Sequence, residues 1–526
     1  MTRMVRARYA MPAGHGEVLT EPPYELWAER AETNASAVLG WRFTVGDMPA
    51  LALRRLARRE SMAEAGAYSR RMGIEGAAAS IEPGLLVVTG HQPELYHPGV
   101  WVKNFLLQRF ADETGAAALD LVVDTDSFER VELRTPCMRP AIGRCTTVLA
   151  TAGEGGCFAC SPVPSRAEAE TFCESGSEAL STLPAPALER HFRSFCDALY
   201  EALEHADDLG QALTGARRRF ESSTRTDYLE LGVSRQAHTS AFRRFAASLV
   251  LDAERFGEVF NAELHAYQIR TGARSKVQPF PDLDMDERAV ELPFWVLFGG
   301  RRHSARVTKG VQRMLLADGE AVCTLPPDTD GVMSALDAAG ALLVPRAVTL
   351  TLFNRMFVAD LFIHGVGGGR YDRVTDAVVR SYFGVEPPAF TVASMTLHLP
   401  LGAHVVTDEE IAALEQRLQR LKHNPDQLLD EVEFDDAKER LEAERLVAEK
   451  GALVIDIAEK GVDKKATGGR IRAVNARLFE MMAPVVVDTQ QRLEAAKEQR
   501  ETAAILSDRT YPYCLWNPLE VMDKVR

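Results

Sequence analysis

Apolar positions along the chain follow two rhythms. Between residues 21 and 80, Leu51, Leu53, Leu56, Ala57 and Met62 fall among Arg and Glu at the spacing of one helix face, which predicts mostly helix. Glu82-Pro83-Gly84 ends that stretch with a turn signal. Two short apolar runs follow, Leu85–Val88 and Leu119–Val123, with helical periodicity over Trp101–Glu113 between them. Strand, helix and strand in that order predict a βαβ unit and a parallel sheet. The Gly/Cys/Pro-rich stretch Thr151–Ser165 reads as a loop or hairpin. Helical patterns then run from Pro184 to Glu221 and from Ser234 to Phe260, the mark of an α-rich insertion. Strand-like runs return at Leu292–Phe298, Arg302–Val307, Leu342–Leu352 and Val358–His364, and are expected to complete the same sheet. A helix pattern follows through Val374, Ala377, Val378 and Tyr382.

From Thr407 the composition shifts to Glu, Lys, Arg, Leu and Ala. Ile411, Leu414, Leu418 and Leu421 form an a/d stripe, Asn424-Pro425 interrupts it, and helix resumes through Leu429, Val432, Leu441 and Leu446. A second arm carries Ile471, Val474, Leu478, Met481 and Val485, with a kink expected at Pro484. Lys460–Lys465 and Gly468-Gly469 are the expected turnaround of an antiparallel hairpin. The chain thus divides into an N-terminal helical segment (1–80), two halves of an α/β core (81–150 and 276–405), the insertion (151–275), coiled-coil arms (406–506) and an irregular tail (507–526).

Composition narrows the class. The 526 residues are 46% hydrophobic and 26% charged, the profile of a soluble globular chain of two to four domains. Lys+Arg 61 against Asp+Glu 75 gives a net charge of −14, which argues against a chain-wide nucleic-acid or membrane footprint. No apolar stretch reaches transmembrane length and the first residues lack the apolar core of a signal peptide, so a cytoplasmic location is expected. Eight irregularly spaced Cys do not read as a disulfide framework. Cys157 and Cys160 have ligand spacing for zinc, with Cys145 and Cys173 flanking, but free thiols are the expectation and no metal site is assigned.

Candidate chemistry concentrates at strand ends, where open α/β sheets bind ligands. Thr89, Gly90, His91, Gln92 and His97 lie between the first strand and its helix, with Lys103 about a turn into that helix; they suit a phosphoryl or leaving group. Asp124 and Asp126 flank Thr125 after the second strand. Alternate strand residues point to the same side, so both carboxylates are expected to face one pocket, where they could hold an amine, a hydroxyl or Mg²⁺, or act as a base. Gly367, Gly368 and Gly369, followed by Arg370 and Tyr371, allow close backbone approach to a ligand, and Arg370 can take a carboxylate or phosphate. Neither a strict Gly-x-Gly-x-x-Gly nor a Walker A pattern is present.

Tyr68–Gly73, then Leu86–Gln92, resembles the bacillithiol biosynthesis cysteine-adding enzymes, whose signature after the first strand is Thr-Gly-Gln-Gln. Asp124–Glu129 is similar to that family's acidic segment, and Val366–Tyr371 with Phe383–Pro388 to its glycine segment and the stretch before its coiled coil. The likeness runs from Leu51 to the helical arms. It implies a Rossmann-like, nucleotidylyltransferase-type core with helical insertions, an antiparallel coiled coil that forms a homodimer, and a ligase that adds cysteine to glucosaminyl malate. It also implies an ATP or ADP site, with Mg²⁺ left open. In those terms Thr89, His91, Gln92, His97 and Lys103 contact nucleotide or leaving group, Asp124 and Asp126 orient the amine or a sugar hydroxyl, and Gly367–Gly369 with Arg370 approach the acid. His91-Gln92 stands where the family has Gln-Gln, and Arg370 follows the glycines where the family has an acidic residue, so another acceptor fits as well. The alternatives are a nucleotidyl transferase on the same core and a non-catalytic dimeric nucleotide- or metabolite-binding protein.

Overall fold

Leu86–His91 is buried on both faces as far as Thr89, which is why it reads as an unbroken apolar run. It pairs in parallel with Ala117–Val122 on one side and Leu361–His364 on the other. Leu229–Gly232 and Thr391–Met395 extend the two sides in parallel, and Val18–Glu21 closes one edge antiparallel. Counted by chain order, the five parallel strands stand third, second, first, fourth, fifth. The direction of winding therefore reverses between Leu86–His91 and Leu361–His364.

This computed structural model describes residues 9–74, 84–139, 141–272, 281–402, 408–432, 434, 436–457 and 463–526. The expected boundaries near 80, 275 and 405 lie outside the described residues, as does the first half of the Lys460–Lys465 turnaround. The chain forms two units. One comprises Met1–Met138, Arg144–His398 and Arg509–Arg526, the other Arg139–Gly143 and Leu399–Asp508. No helix among the described residues is long and apolar enough to cross a membrane.

In the first unit the mixed α/β core is present, with four corrections. The 151–275 stretch is not wholly an insertion, because Leu229–Gly232 is the third parallel strand. Four residues buried on both faces give too short a signal to separate from the helices around them. The runs Leu292–Phe298 and Arg302–Val307 do not join the parallel sheet. They belong to Ala289–Phe298 and Arg301–Thr308, which form a separate five-stranded antiparallel sheet with Arg313–Ala317, Glu320–Leu325 and Leu342–Pro345. The strand expected over Leu342–Leu352 stops at Pro345, and Ala347–Phe353 is helix. Finally, the tail is ordered. Pro518–Val525 is a helix against Pro98–Thr114, and Tyr513 is buried with its ring 5.2 Å from Trp101.

The helix Pro98–Thr114 is written plainly into its sequence. His97 caps it by accepting from the Gly99 N–H, Pro98 fixes the first turn, and Gly115 ends it at φ +70°. Gly367–Gly369 form the first turn of the helix Val366–Phe383. A Cβ on Gly368 would lie 2.9 Å from His364 Nδ1, and one on Gly369 would lie 2.3 Å from Val392 Cγ2. These two glycines let the helix lie close on its strands. Gly369→Ala is therefore expected to cost about 1–3 kcal/mol by overpacking, read as a lower urea midpoint, while ligand affinity at the pocket described below is unchanged.

Among the described residues of the second unit each arm is divided, the first into Asp408–His423 and Ala437–Asp456, the second into Lys464–Met481 and Ala483–Leu506. The break after His423 falls at Asn424-Pro425, and the second arm breaks just before Pro484. Gly468 and Gly469 lie inside a helix, not at a turnaround. Arg500 pairs with Asp408 and Lys497 with Glu415, Arg417 reaches Thr489, and Asn475 bonds the His423 carbonyl, so the arms run antiparallel. Ala443, Leu453, Val474 and Leu478 form one apolar seam between them, and Leu421, Met482 and Val486 another.

Candidate functional site

A pocket of about 330 Å³ opens beyond the carboxyl ends of Leu86–His91 and Ala117–Val122. Gly90, His91, Gln92, Thr125 and Asp126 form its side toward the parallel sheet. The antiparallel sheet and the segment after it supply Trp295, Arg346, Val348 and Leu350. The size suits a small organic ligand, and the walls are largely apolar with few polar groups.

Those polar groups come in opposite charges. Asp126 accepts from Gln92 Nε2 at 2.8 Å and from Arg302 Nη1 at 2.9 Å. The Arg302 and Arg346 guanidinium carbons lie 4.4 and 4.0 Å from the Trp295 ring centre, a cation–π arrangement that fixes both cations. Arg346 Nη2 lies 2.7 Å from Glu291 Oε1, yet neither Nη2 nor Nε is aligned for a hydrogen bond to protein. An arginine on the pocket wall with hydrogen-bonding capacity to spare is a natural receiver for an anion.

His91 is half-buried against Tyr96 and lines the pocket. Burial first, and the Lys103 charge second, push its pKa down to about 3, so the ring is neutral at physiological pH. Its Nδ1 lies 3.1 Å from the Gln92 carbonyl, which a neutral ring meets by donating. Nε2 then keeps its lone pair as an acceptor. With so low a pKa, His91 orients a donor better than it carries a proton.

The remaining sequence candidates are dispersed. His97 is the helix cap, and Thr89 is fully buried, its hydroxyl donating to the Ile363 carbonyl at 2.8 Å. Lys103 is buried and donates to the Gly90 carbonyl at 2.7 Å; burial lowers its pKa to about 8. It supports the strand end from behind and does not line the pocket. Gly367–Gly369, Arg370 and Tyr371 share the carboxyl edge of the sheet but not the pocket wall.

Asp124 corrects the expectation of paired carboxylates. The chain leaves the strand at Val122 and turns, the Asp124 N–H bonding the Val122 carbonyl at 2.8 Å, so strand alternation no longer applies. Asp126 faces the pocket, whereas Asp124 is buried away from it and accepts from the Ser234 N–H and hydroxyl. Burial pushes the Asp124 carboxyl up to about 7 against the pull of the Ser234 hydrogen bonds. The folded chain thus holds a proton that the unfolded chain releases. The resulting stabilisation is full below the unfolded carboxylate range and is lost as pH rises to about 7. Urea unfolding of wild type and the Asp124→Asn variant checks this. From pH 4 to pH 8 the wild type should lose on the order of 3 kcal/mol relative to the variant.

The cysteines also differ from expectation. Cys137 is bonded to Cys145 and Cys157 to Cys160, so the set Cys145, Cys157, Cys160 and Cys173 neither assembles as a zinc site nor stays as free thiols; only Cys173 of the four is free. Sequence reading missed Arg302 and Arg346. Arg302 lies at the start of Arg301–Thr308 and Arg346 directly follows Leu342–Pro345, and no local motif marks either residue in the sequence. No family model and no curated protein matches the chain.

Proposed function

We propose that the protein is a ligase that joins the amine of cysteine, or of a related amino acid, to the carboxyl group of a small sugar acid such as glucosaminyl malate. The observation that carries this reading is that Asp126 and an incompletely bonded Arg346 both line the wall of one apolar pocket. Opposite charges placed in this way suit a zwitterion or an amine–acid pair, with the ammonium toward Asp126 and the carboxylate toward Arg346. Trp295 supplies a flat apolar surface between the cations, and His91 Nε2 accepts from a ligand N–H or O–H.

The strand order third, second, first, fourth, fifth matches five of the six strands of a Rossmann sheet and supports the nucleotidylyltransferase-type reading of the core. A nucleotide would fit best at the point where winding reverses, where the helix Val366–Phe383 begins without a side-chain cap and Gly365 and Gly367 leave open space. ATP, when bound, would supply activation of the carboxyl oxygen as a leaving group. The antiparallel arms of the second unit, with Leu441, Val454 and Ile455 exposed, support a coiled-coil homodimer, and a cytoplasmic setting belongs to the same proposal.

Mass spectrometry of the protein incubated with glucosaminyl malate, cysteine and ATP-Mg²⁺, each omitted in turn, tests the reading. A product at the summed mass less water, absent without cysteine, is expected. Pyrophosphate release that ignores cysteine would replace the ligase with a nucleotidyl transferase.

A further inference from the structure

We propose that Cys157 and Cys160 form a redox-active dithiol/disulfide couple that exchanges with small thiols from a cleft of its own and sets the position of the acidic loop at the neighbouring pocket. Cys160 is half-buried on the wall of a second cleft of about 360 Å³, formed with Phe128, Gly156, Ser161, Pro162 and Arg301. Cys157, its partner, is fully buried. That asymmetry gives an incoming thiolate one sulfur to attack and makes the other the leaving group.

The exchange balances with a dithiol as reductant. One of its thiolates attacks Cys160 Sγ, the Cys157–Cys160 bond breaks, and Cys157 leaves as a thiolate that takes up a proton. The second thiol of the reductant, after losing its proton, attacks the mixed disulfide. Cys160 is released as a thiol and the reductant departs as its own disulfide, two electrons having passed to the cysteine pair.

The same short segment holds both partners of an ion pair at the pocket. The Ala159 N–H donates to the Asp124 carbonyl at 2.8 Å, Cys157 bridges to Ser127, and Phe158 stacks on Phe128 at 4.4 Å. Two residues upstream of Cys157, the Gly155 carbonyl accepts from the Arg302 N–H at 2.9 Å. Arg302 in turn holds Asp126 and lies over Trp295. Opening the Cys157–Cys160 ring releases a constraint on the loop and the arginine together. Cys137–Cys145, by contrast, ties the two strands of the hairpin Arg130–Met138 and Ile142–Thr151 and lines neither cavity. The couple does not depend on which reaction the pocket performs.

The full-length protein, titrated with mixtures of reduced and oxidised dithiothreitol, provides the test. Thiols are trapped with N-ethylmaleimide and located by peptide mass, and tryptophan emission is followed in parallel, with a Trp295→Phe variant to isolate the Trp295 signal. The Cys157/Cys160 peptide should pass reversibly from unlabelled to doubly labelled while the protein stays folded, and Trp295 emission should follow the same curve. A variant carrying both Cys157→Ser and Cys160→Ser should lose that titratable signal. Labelling that requires unfolding overturns the couple, and exchange with unchanged Trp295 emission overturns its link to the pocket.

Discussion

Replacing Arg217 with methionine is expected to destabilise the protein by about 3–5 kcal/mol, the usual effect of stripping one partner from a buried ionic cluster. Arg217 donates to Asp120, Glu221, Glu230 and the Tyr228 hydroxyl, and every one of these groups is buried. Arg218 and Lys103 complete the balance, three cations against three carboxylates. Asp120 and Glu230 sit on adjacent parallel strands, paired in register, so the cluster joins strands directly behind the pocket. Without Arg217, the carboxylates lose their main counter-charge and can be relieved only by protonation. The deficit should therefore grow from pH 5 to pH 8, because the folded variant holds protons that its unfolded state gives up. Urea unfolding at both pH values reads this directly.

Removing the side chain of Arg346 is expected to weaken binding of a small carboxylate ligand roughly 10- to 100-fold, with little loss of stability. A hydrogen bond to a charged group contributes about 1.5–3 kcal/mol, which converts to that range of dissociation constants. Arg346 pairs with a single carboxylate, Glu291, whose own side chain is partly exposed, so its loss does not strand a deeply buried charge. Arg346→Lys should fall between wild type and Arg346→Ala, since it keeps the charge and loses the planar fork. Calorimetric titration with L-malate, beside thermal unfolding of each variant, separates the binding effect from a folding defect.

Much of the core is legible along the chain because its strands and helices carry strong local signals. Leu86–His91, Ala117–Val122 and the helix Pro98–Thr114 lie close to their expected places. What escaped were features set by tertiary context. Leu229–Gly232 is too short to announce itself, and nothing local distinguishes the strands that pair antiparallel in the second sheet from those that join the parallel one. The site shows the same division. His91, Gln92 and Asp126 follow from the rule that ligands bind at strand ends. Arg302, Trp295 and Arg346 come from a region more than 160 residues away in sequence, brought in only by folding. Glycines and histidines mislead for a physical reason. Gly369 and His97 are demanded by close helix packing and by a cap, and such demands leave the same residue types as a ligand site.

The pocket between Asp126 and Arg346 is the centre of the account, and a crystal structure of the protein soaked with L-malate and cysteine tests it most directly. The account predicts a malate carboxylate bonded to Arg346 and the cysteine ammonium facing Asp126, both against Trp295. Ligand density at another surface, with this pocket left to solvent, would contradict it.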